Sequence, residues 1–409
     1  MASPIPARST RLALARDSLL LFAALALTGQ WILVHAASPA TLGPVASTVL
    51  PGLAIFGSAA LLSWGAELAQ LEISQALAIA GLALVAVLPE YAVDMYLAWQ
   101  AAKDPAYTAY AAANMTGANR LLIGIGWSTV LLAFWFATRA RAIRLKPPQR
   151  LELLTLLVAT LYAFVIPWKR TLSLVDTVFF LSLFAFYVWK ASHGHREEPE
   201  LAGPPERLAL LPRVWRRLAT LLLFALPAYT IFIAAQPFAD GLLHNARRLG
   251  IEEFILIQWL APLASESPEF IVAIIFALRR NPTAGLGTLI SSKVNQWTLL
   301  VGLLPMVYSI SGGHLQPMHL DGRQCEEMFL TAAQSFLALV VLANLSFGLN
   351  EALLLGFLFL LQFVFPTPEV RVWLAVSYLG IAAAYGASPR ARQAFADLFR
   401  LGWRRMTPL

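Results

Sequence analysis

Six charged residues fall inside apolar runs long enough to cross a membrane: Glu90, Asp94, Arg120, Glu266, Glu269 and Lys293. Each costs about 2.5–3.5 kcal/mol to place alone at the centre of a membrane helix. Six together come to roughly 15–20 kcal/mol, more than a typical folding free energy. They must pair, line a wet cavity, or do both. Glu90 and Asp94 are four residues apart and Glu266 and Glu269 three, so each pair shares one helix face. Two carboxylates about 6 Å apart at an effective dielectric near 20 repel by roughly 3 kcal/mol. One acid of each pair then keeps a proton near neutrality unless a cation is present. A site that trades a metal cation for protons behaves this way. The purely structural alternative is two ion pairs, Asp94 with Arg120 and Glu266 with Lys293, which leaves Glu90 and Glu269 over.

Glu90 and Glu269 each follow a proline, Pro89 and Pro268, inside an apolar run. Proline in a helix removes one backbone bond and frees the carbonyl four residues back, here that of Val85 and of Ala264. A freed carbonyl beside a carboxylate, in a protein-lined cavity, is a hard oxygen site suited to a cation. This makes Glu90 and Glu269 the expected metal ligands. A packing kink explains one such proline, but less readily two at matching places.

The elements that hold these residues are membrane helices. Of 409 residues, 58% are hydrophobic and 13% charged, against roughly 25% charged in a soluble domain. Runs of about 20 apolar residues recur along the chain. We read an all-α integral membrane protein with about twelve spans, near 17–36, 47–66, 75–101, 108–137, 151–167, 171–190, 214–236, 251–278, 284–310, 328–347, 351–366 and 370–386. The third, fourth, eighth and ninth exceed what the hydrocarbon needs, so they tilt or break. The first resembles a signal peptide, with Val34-His35-Ala36 as its cleavage site, but its apolar stretch is long for that role. A retained anchor is the expectation.

Twenty-one of the 30 basic residues fall in the termini and in alternate loops, against seven in the other loops. The positive-inside rule then places both termini in the cytoplasm, and the plasma (inner) membrane is the expected location. The net charge of +7 is accordingly a topology signal. No basic patch with groove-reading or aromatic elements suggests nucleic acid. A single cysteine, Cys325, excludes an internal disulfide framework. No nucleophile–base pair accompanies the midplane acids, so an enzyme is not expected, and no cofactor is implied. Oligomeric state is not encoded in any of these features.

The polar stretch 191–213 divides the chain into halves, 1–190 and 214–409, and its His193 and His195 read as solvated linker residues. Each half carries an apolar helix interrupted by Pro-Glu, a short polar turn, and a helix opening with small and polar residues. These segments are 80–126 and 259–303. Five spans separate the copies, and an odd number inverts the second relative to the first. The expected architecture is two inverted five-helix repeats plus one extra helix at each end.

These two segments resemble the α-repeats of the cation/calcium exchanger superfamily, whose pattern is G-T/S-S-x-P-E, a variable loop, then G-N-x-x-G-S-N/D-x-x-N. The resemblance implies a secondary transporter working by alternating access. By position, Glu90 and Glu269 match its central acids. Asn119 matches the Asn/Asp of the first repeat's second helix, and Asn114 its G-N asparagine. Ser265 matches the T/S position, and Ser291 and Ser292 match G-S. Val87 and Glu266 stand where the pattern has serines, Arg120 follows Asn119, and Lys293 replaces the second Asn/Asp. Lys293 then stands in for a bound monovalent ion, with Asp94, Arg120 and Glu266 as modulating charges. These departures point away from sodium/calcium exchange and towards cation/proton exchange, with Ca2+ and Na+ both open as the moved ion. Two other readings stay open: a small-anion transporter using Arg120 and Lys293, and a degenerate, non-transporting homologue.

Overall fold

The computed structural model describes residues 11–37, 42–71, 88–192, 201 and 203–402, and their side chains except at 11–14, 268, 401 and 402. Residues 72–87, with Val85 and Val87, lie outside the described residues, as do His193 and His195 of the linker. The described chain is mostly helix. Apolar side chains dominate its runs, and a backbone surrounded by lipid must satisfy its polar groups within each segment.

The first half contains α1 (Arg11–Ala36), α2 (Ala46–Ala69), α3 (Leu88–Ala101), α4 (Ala106–Leu121), α5 (Ser128–Thr138), α6 (Arg150–Ala163), α7 (Val165–Lys169) and α8 (Leu174–Ser192). The second contains α9 (Pro204–Leu208), α10 (Arg213–Leu249), α11 (Glu253–Leu278), α12 (Pro282–Asn295), α13 (Val301–Gly312), α14 (Gly322–Leu342), α15 (Leu349–Val364), α16 (Pro368–Gly386) and α17 (Pro389–Gly402). Among the described residues, seven helices are long and apolar enough to cross a membrane, or nine if each of two bent pairs is one span. One bend, of 55°, divides α11 between Ser267 and Glu269, at the Pro-Glu step; the other, of 93°, separates α16 from α17.

Two further interruptions match one another. A π-helical turn, Leu122–Trp127, joins α4 to α5, and another, Gln296–Leu300, joins α12 to α13. Each begins three residues after a position singled out above, Asn119 in one half and Lys293 in the other. Such turns sit frequently at functional sites, because the wider turn disturbs the regular backbone bonding.

Contacts between loops agree with the alternation of sides expected from the basic residues. A short strand β1 (Ala142–Arg144) pairs antiparallel with β4 (Ser346–Gly348), and β2 (Thr171–Leu172) pairs with β3 (Met318–His319). Each ladder joins two loops assigned to one side. Arg279 with Glu206 at 2.6 Å does the same.

The centre is built where α11 packs against both α4 and α12. Close approach there requires glycine. A Cβ on Gly117 would lie 1.9 Å from the Gln258 carbonyl oxygen, and one on Gly285 would lie 2.4 Å from that of Ala273. The backbones of α4 and α12 therefore run almost against α11, which brings their polar residues to its Pro-Glu segment.

Candidate functional site

Glu90 and Asp94 enter from the first turns of α3, and both are buried. Glu266 is buried on α11, and Glu269, just past the bend, is partly exposed with a buried Oε2. The four acids share one space: Glu266, Asp94 and Glu269 all act electrostatically on Glu90. The spacing within each half and the packing between halves thus converge on one acidic cluster.

The partners of these acids are neutral. Asn114 Nδ2 donates to Asp94 Oδ1 at 2.9 Å, and Gln296 Nε2 donates to Glu266 Oε1 at 2.5 Å. One oxygen of every acid is buried without a hydrogen-bond partner: Glu90 Oε1, Asp94 Oδ2, Glu266 Oε2 and Glu269 Oε2. Asn114 Oδ1, Gln296 Oε1 and Ser292 Oγ are likewise unpartnered, and Ser292 lies close enough to act on Glu269. A buried polar atom left without a partner costs about 1–3 kcal/mol. Seven gathered together mark a place that protons, water or an oxygen-seeking cation would fill. Among the described residues, no group of three or more His, Cys, Asp or Glu closes tightly enough to hold a metal ion.

The two buried cations do not neutralise this cluster by contact, so neither ion pair of the structural alternative forms. Arg120 instead meets Glu327 of α14 at 2.5 Å, donates through Nη1 to Gln362 Oε1 of α15 at 3.1 Å, and lies 5.2 Å from the Trp259 ring. Glu327 also accepts from Gln258 Nε2 at 3.0 Å, and Arg371 Nε comes within 3.7 Å of it. Arg120 therefore belongs to a separate network built on Glu327.

Lys293 donates through Nζ to Asn119 Oδ1 at 2.7 Å and to the Asn119 carbonyl at 3.1 Å, with its ammonium 4.5 Å from the Trp297 ring centre. The adjoining void, lined by Ile123, Trp127, Leu156, Thr160, Ser335 and Leu339, is too tight for a water molecule. The ammonium thus relies on Asn119 and the indole face, while Glu266 and Glu90 stabilise it from a distance.

The remaining expected residues divide. Asn119 is fully engaged, since its Nδ2 donates to the Met115 carbonyl at 2.8 Å while its Oδ1 holds Lys293. Ser265 Oγ turns back to the carbonyls of Ala261 and Pro262, both at 3.3 Å. Ser291 faces Tyr187 of α8. Sequence reasoning missed Gln296, Gln258, Glu327 and Gln362. Gln296 carried a usable signal, because it lies three residues beyond Lys293; Gln258 lies one residue before the second repeat, and Glu327 and Gln362 lie on helices without a motif.

The family model for the sodium/calcium exchanger protein matches residues 43–192 and 219–385. Among solved structures, the chain is similar to the H+/Ca2+ exchanger CAX, with 42% identity, a TM-score of 0.89, and coverage of 95% of this chain and 98% of that one. It is also similar to the sodium-calcium exchanger NCX_Mj, at 18% identity and a TM-score of 0.53, over 77% of this chain and 96% of that one. Native YfkE aligns at 15% identity and a TM-score of 0.58, over 89% and 99%. The comparison with curated proteins gave no match.

Proposed function

The chain belongs to the sodium/calcium exchanger protein family of membrane cation exchangers, and on that premise we propose that it exchanges calcium for protons. The observation that carries this reading is the set of four acids whose buried, unpartnered oxygens meet no basic side chain. Calcium takes six to eight oxygen ligands from carboxylates, amides, carbonyls and water. Glu90 and Glu269 supply the central carboxylates, helped by Glu266, Asp94, Asn114, Ser292 and Gln296. With no cation bound, protons hold the same carboxylates apart from mutual repulsion. One set of oxygens then serves both ions, and each arrival displaces the other. The 42% identical relative is called an H+/Ca2+ exchanger, which favours the same ion pair here.

Lys293 is the residue that argues against sodium as the driving ion. Its fixed ammonium occupies the position where the family pattern places a second Asn/Asp oxygen, and it takes Asn119 Oδ1 with it. A monovalent cation site is thus filled from within. The anion reading loses its proposed ligands for the same reason, since Arg120 is bound to Glu327 and Lys293 to Asn119.

In this reading the chain has twelve spans in two inverted five-helix repeats with one extra helix at each end. The halves 1–190 and 214–409 flank a cytoplasmic linker at 191–213, and both termini lie in the cytoplasm at the plasma membrane. The matched π turns and the same-side loop ladders support that arrangement. Alternating access would rock the halves around the acids.

The test is reconstitution into proteoliposomes carrying an internal pH dye and an acidic lumen. External calcium should raise the internal pH, whereas sodium, chloride or phosphate should not. A response confined to an anion, or to sodium, would overturn the reading.

A further inference from the structure

The last apolar helix ends in a segment that turns along the membrane. α16 has 19 residues, about 28 Å, close to the roughly 30 Å of a hydrocarbon core, so it crosses without help from α17. Val372, Trp373 and Val376 are exposed along it, as a lipid-facing surface requires. Tyr385, exposed near its end, is of a type that settles at the headgroup level. Three residues later the chain bends. Pro389 has no N–H with which to continue α16, and its fixed φ suits the first turn of a new helix. Ser388 caps that turn: its Oγ accepts from the Ala391 amide at 3.2 Å, and its carbonyl from the Arg392 amide at 3.1 Å. With α16 upright, the 93° angle lays α17 close to the membrane plane.

At 14 residues α17 is too short to cross a bilayer, and its sequence is too polar. One face holds it to the protein, since α17 packs on α6, Leu398 is buried and Phe395 rests against the core. Away from that face, Arg392, Ala396 and Arg400 recur at steps of four and are all exposed, so they form one stripe. Phe399, 46% exposed, lies beside this stripe, two turns from Arg392. Asp397 is the single acid of the helix, against three arginines. A ring and guanidiniums along one edge suit a helix in the interface, where the ring enters the acyl chains and the charges meet phosphates. α15 leaves from β4 and α16 runs back beside it, so α17 lies on the β1–β4 side, where Arg141 and Arg144 are also exposed. Arg404 and Arg405 follow in the sequence.

We propose that α17 is a docking surface for anionic phospholipid headgroups in the leaflet on the β1–β4 side. Arg392 and Arg400 bind the phosphates, and Phe399 sits among the acyl chains. A guanidinium presents a planar fork that bonds phosphate oxygens in pairs. Lipid is the occupant because the bend, Tyr385 and the charge together put this stripe at headgroup level. A second copy of the chain would bring the same arginines against one another. The proposal does not depend on which ions the chain exchanges.

Lipid-borne quenchers read the contact directly in the full-length protein. Ala396→Cys, in a Cys325→Ser background, carries a fluorophore between the two arginines. The protein is reconstituted with phosphatidylglycerol or phosphatidylcholine bearing a nitroxide high on one acyl chain, at equal mole fractions. With both arginines present, phosphatidylglycerol should quench about fivefold more strongly or better, the scale of a basic residue near an anionic surface. Folded Arg392→Gln/Arg400→Gln should bring the ratio within about twofold of unity. So should about 0.5 M salt on protein with its arginines intact, by screening, which needs no further variant. Equal quenching by the two lipids with the arginines in place would overturn the proposal. Quenching by aqueous iodide and by neither lipid would put α17 in water. Protection from iodide and from both lipids, growing with protein density, would put a second copy there instead; either outcome overturns lipid docking.

Discussion

Lys293 of α12 reaches across to Asn119 of α4 and bonds its side-chain oxygen at 2.7 Å. The two residues stand at matching places, each three residues ahead of a π-helical turn. A position that supplies a neutral oxygen in one half supplies a fixed positive charge in the other, and the charge consumes the oxygen.

Replacing that charge tests what it does. Lys293→Asn frees Asn119 Oδ1 and adds a second amide oxygen, so transport should become sodium-dependent. Without the ammonium, protons compete harder for Glu266 and Glu90, and the pH optimum of calcium transport should move upward. Loss of a hydrogen bond to a charged group costs about 1.5–3 kcal/mol, which should lower the apparent melting temperature of the purified variant. Flux measured across pH and sodium concentration checks the first two outcomes. Unchanged dependence on both would reduce Lys293 to a structural residue.

Arg120 and Glu327 should behave as a stabilising pair outside the transport site. Either Arg120→Gln or Glu327→Gln leaves one buried charge unpaired, at a cost of about 3–5 kcal/mol. The double variant leaves none and should recover much of the lost thermal stability. Folded double variant should still bind calcium, because neither residue touches the acids. A double variant as unstable as the worse single one would show that the two residues are not coupled.

The acids were legible from sequence because a charge in an apolar run is conspicuous, and because Pro-Glu occurs twice. Their partners were not. Glu327 lies one residue outside the span read at 328–347, since hydropathy windows start a helix after its last charge. Arg371, at the start of the span read at 370–386, gave no sign of its partner either, yet it is buried against Glu326, 2.8 Å away. Charges near helix ends look solvated in sequence whenever their counter-ions come from distant segments. The π turns left no trace either, because backbone widening depends on what packs beside the helix. Orientation within a helix was partly legible: Ser291 and Ser292 were read together, but neighbouring residues point about 100° apart at 3.6 per turn, and only Ser292 faces Glu269.

The sidedness of the chain can be read from its one cysteine. Cys325 is half-buried near the start of α14, by the loop that holds β3, and among the described residues it is a free thiol. A membrane-impermeant maleimide added to intact cells should label it, since the proposed topology puts that loop on the side opposite the termini. Labelling that requires permeabilised cells would reverse the orientation.

The central claim is that calcium and protons occupy one set of oxygens at Glu90 and Glu269. Calorimetric titration of purified protein with calcium, repeated in buffers of different ionisation enthalpy, counts the protons released as the ion binds. Wild type should release protons on binding and lose affinity as the pH falls, because ligands must be deprotonated to hold a metal. Glu90→Gln and Glu269→Gln should each weaken binding by about tenfold or more, equivalent to about 1.4 kcal/mol. Calcium binding with no proton release, or undiminished in both folded variants, would contradict the account.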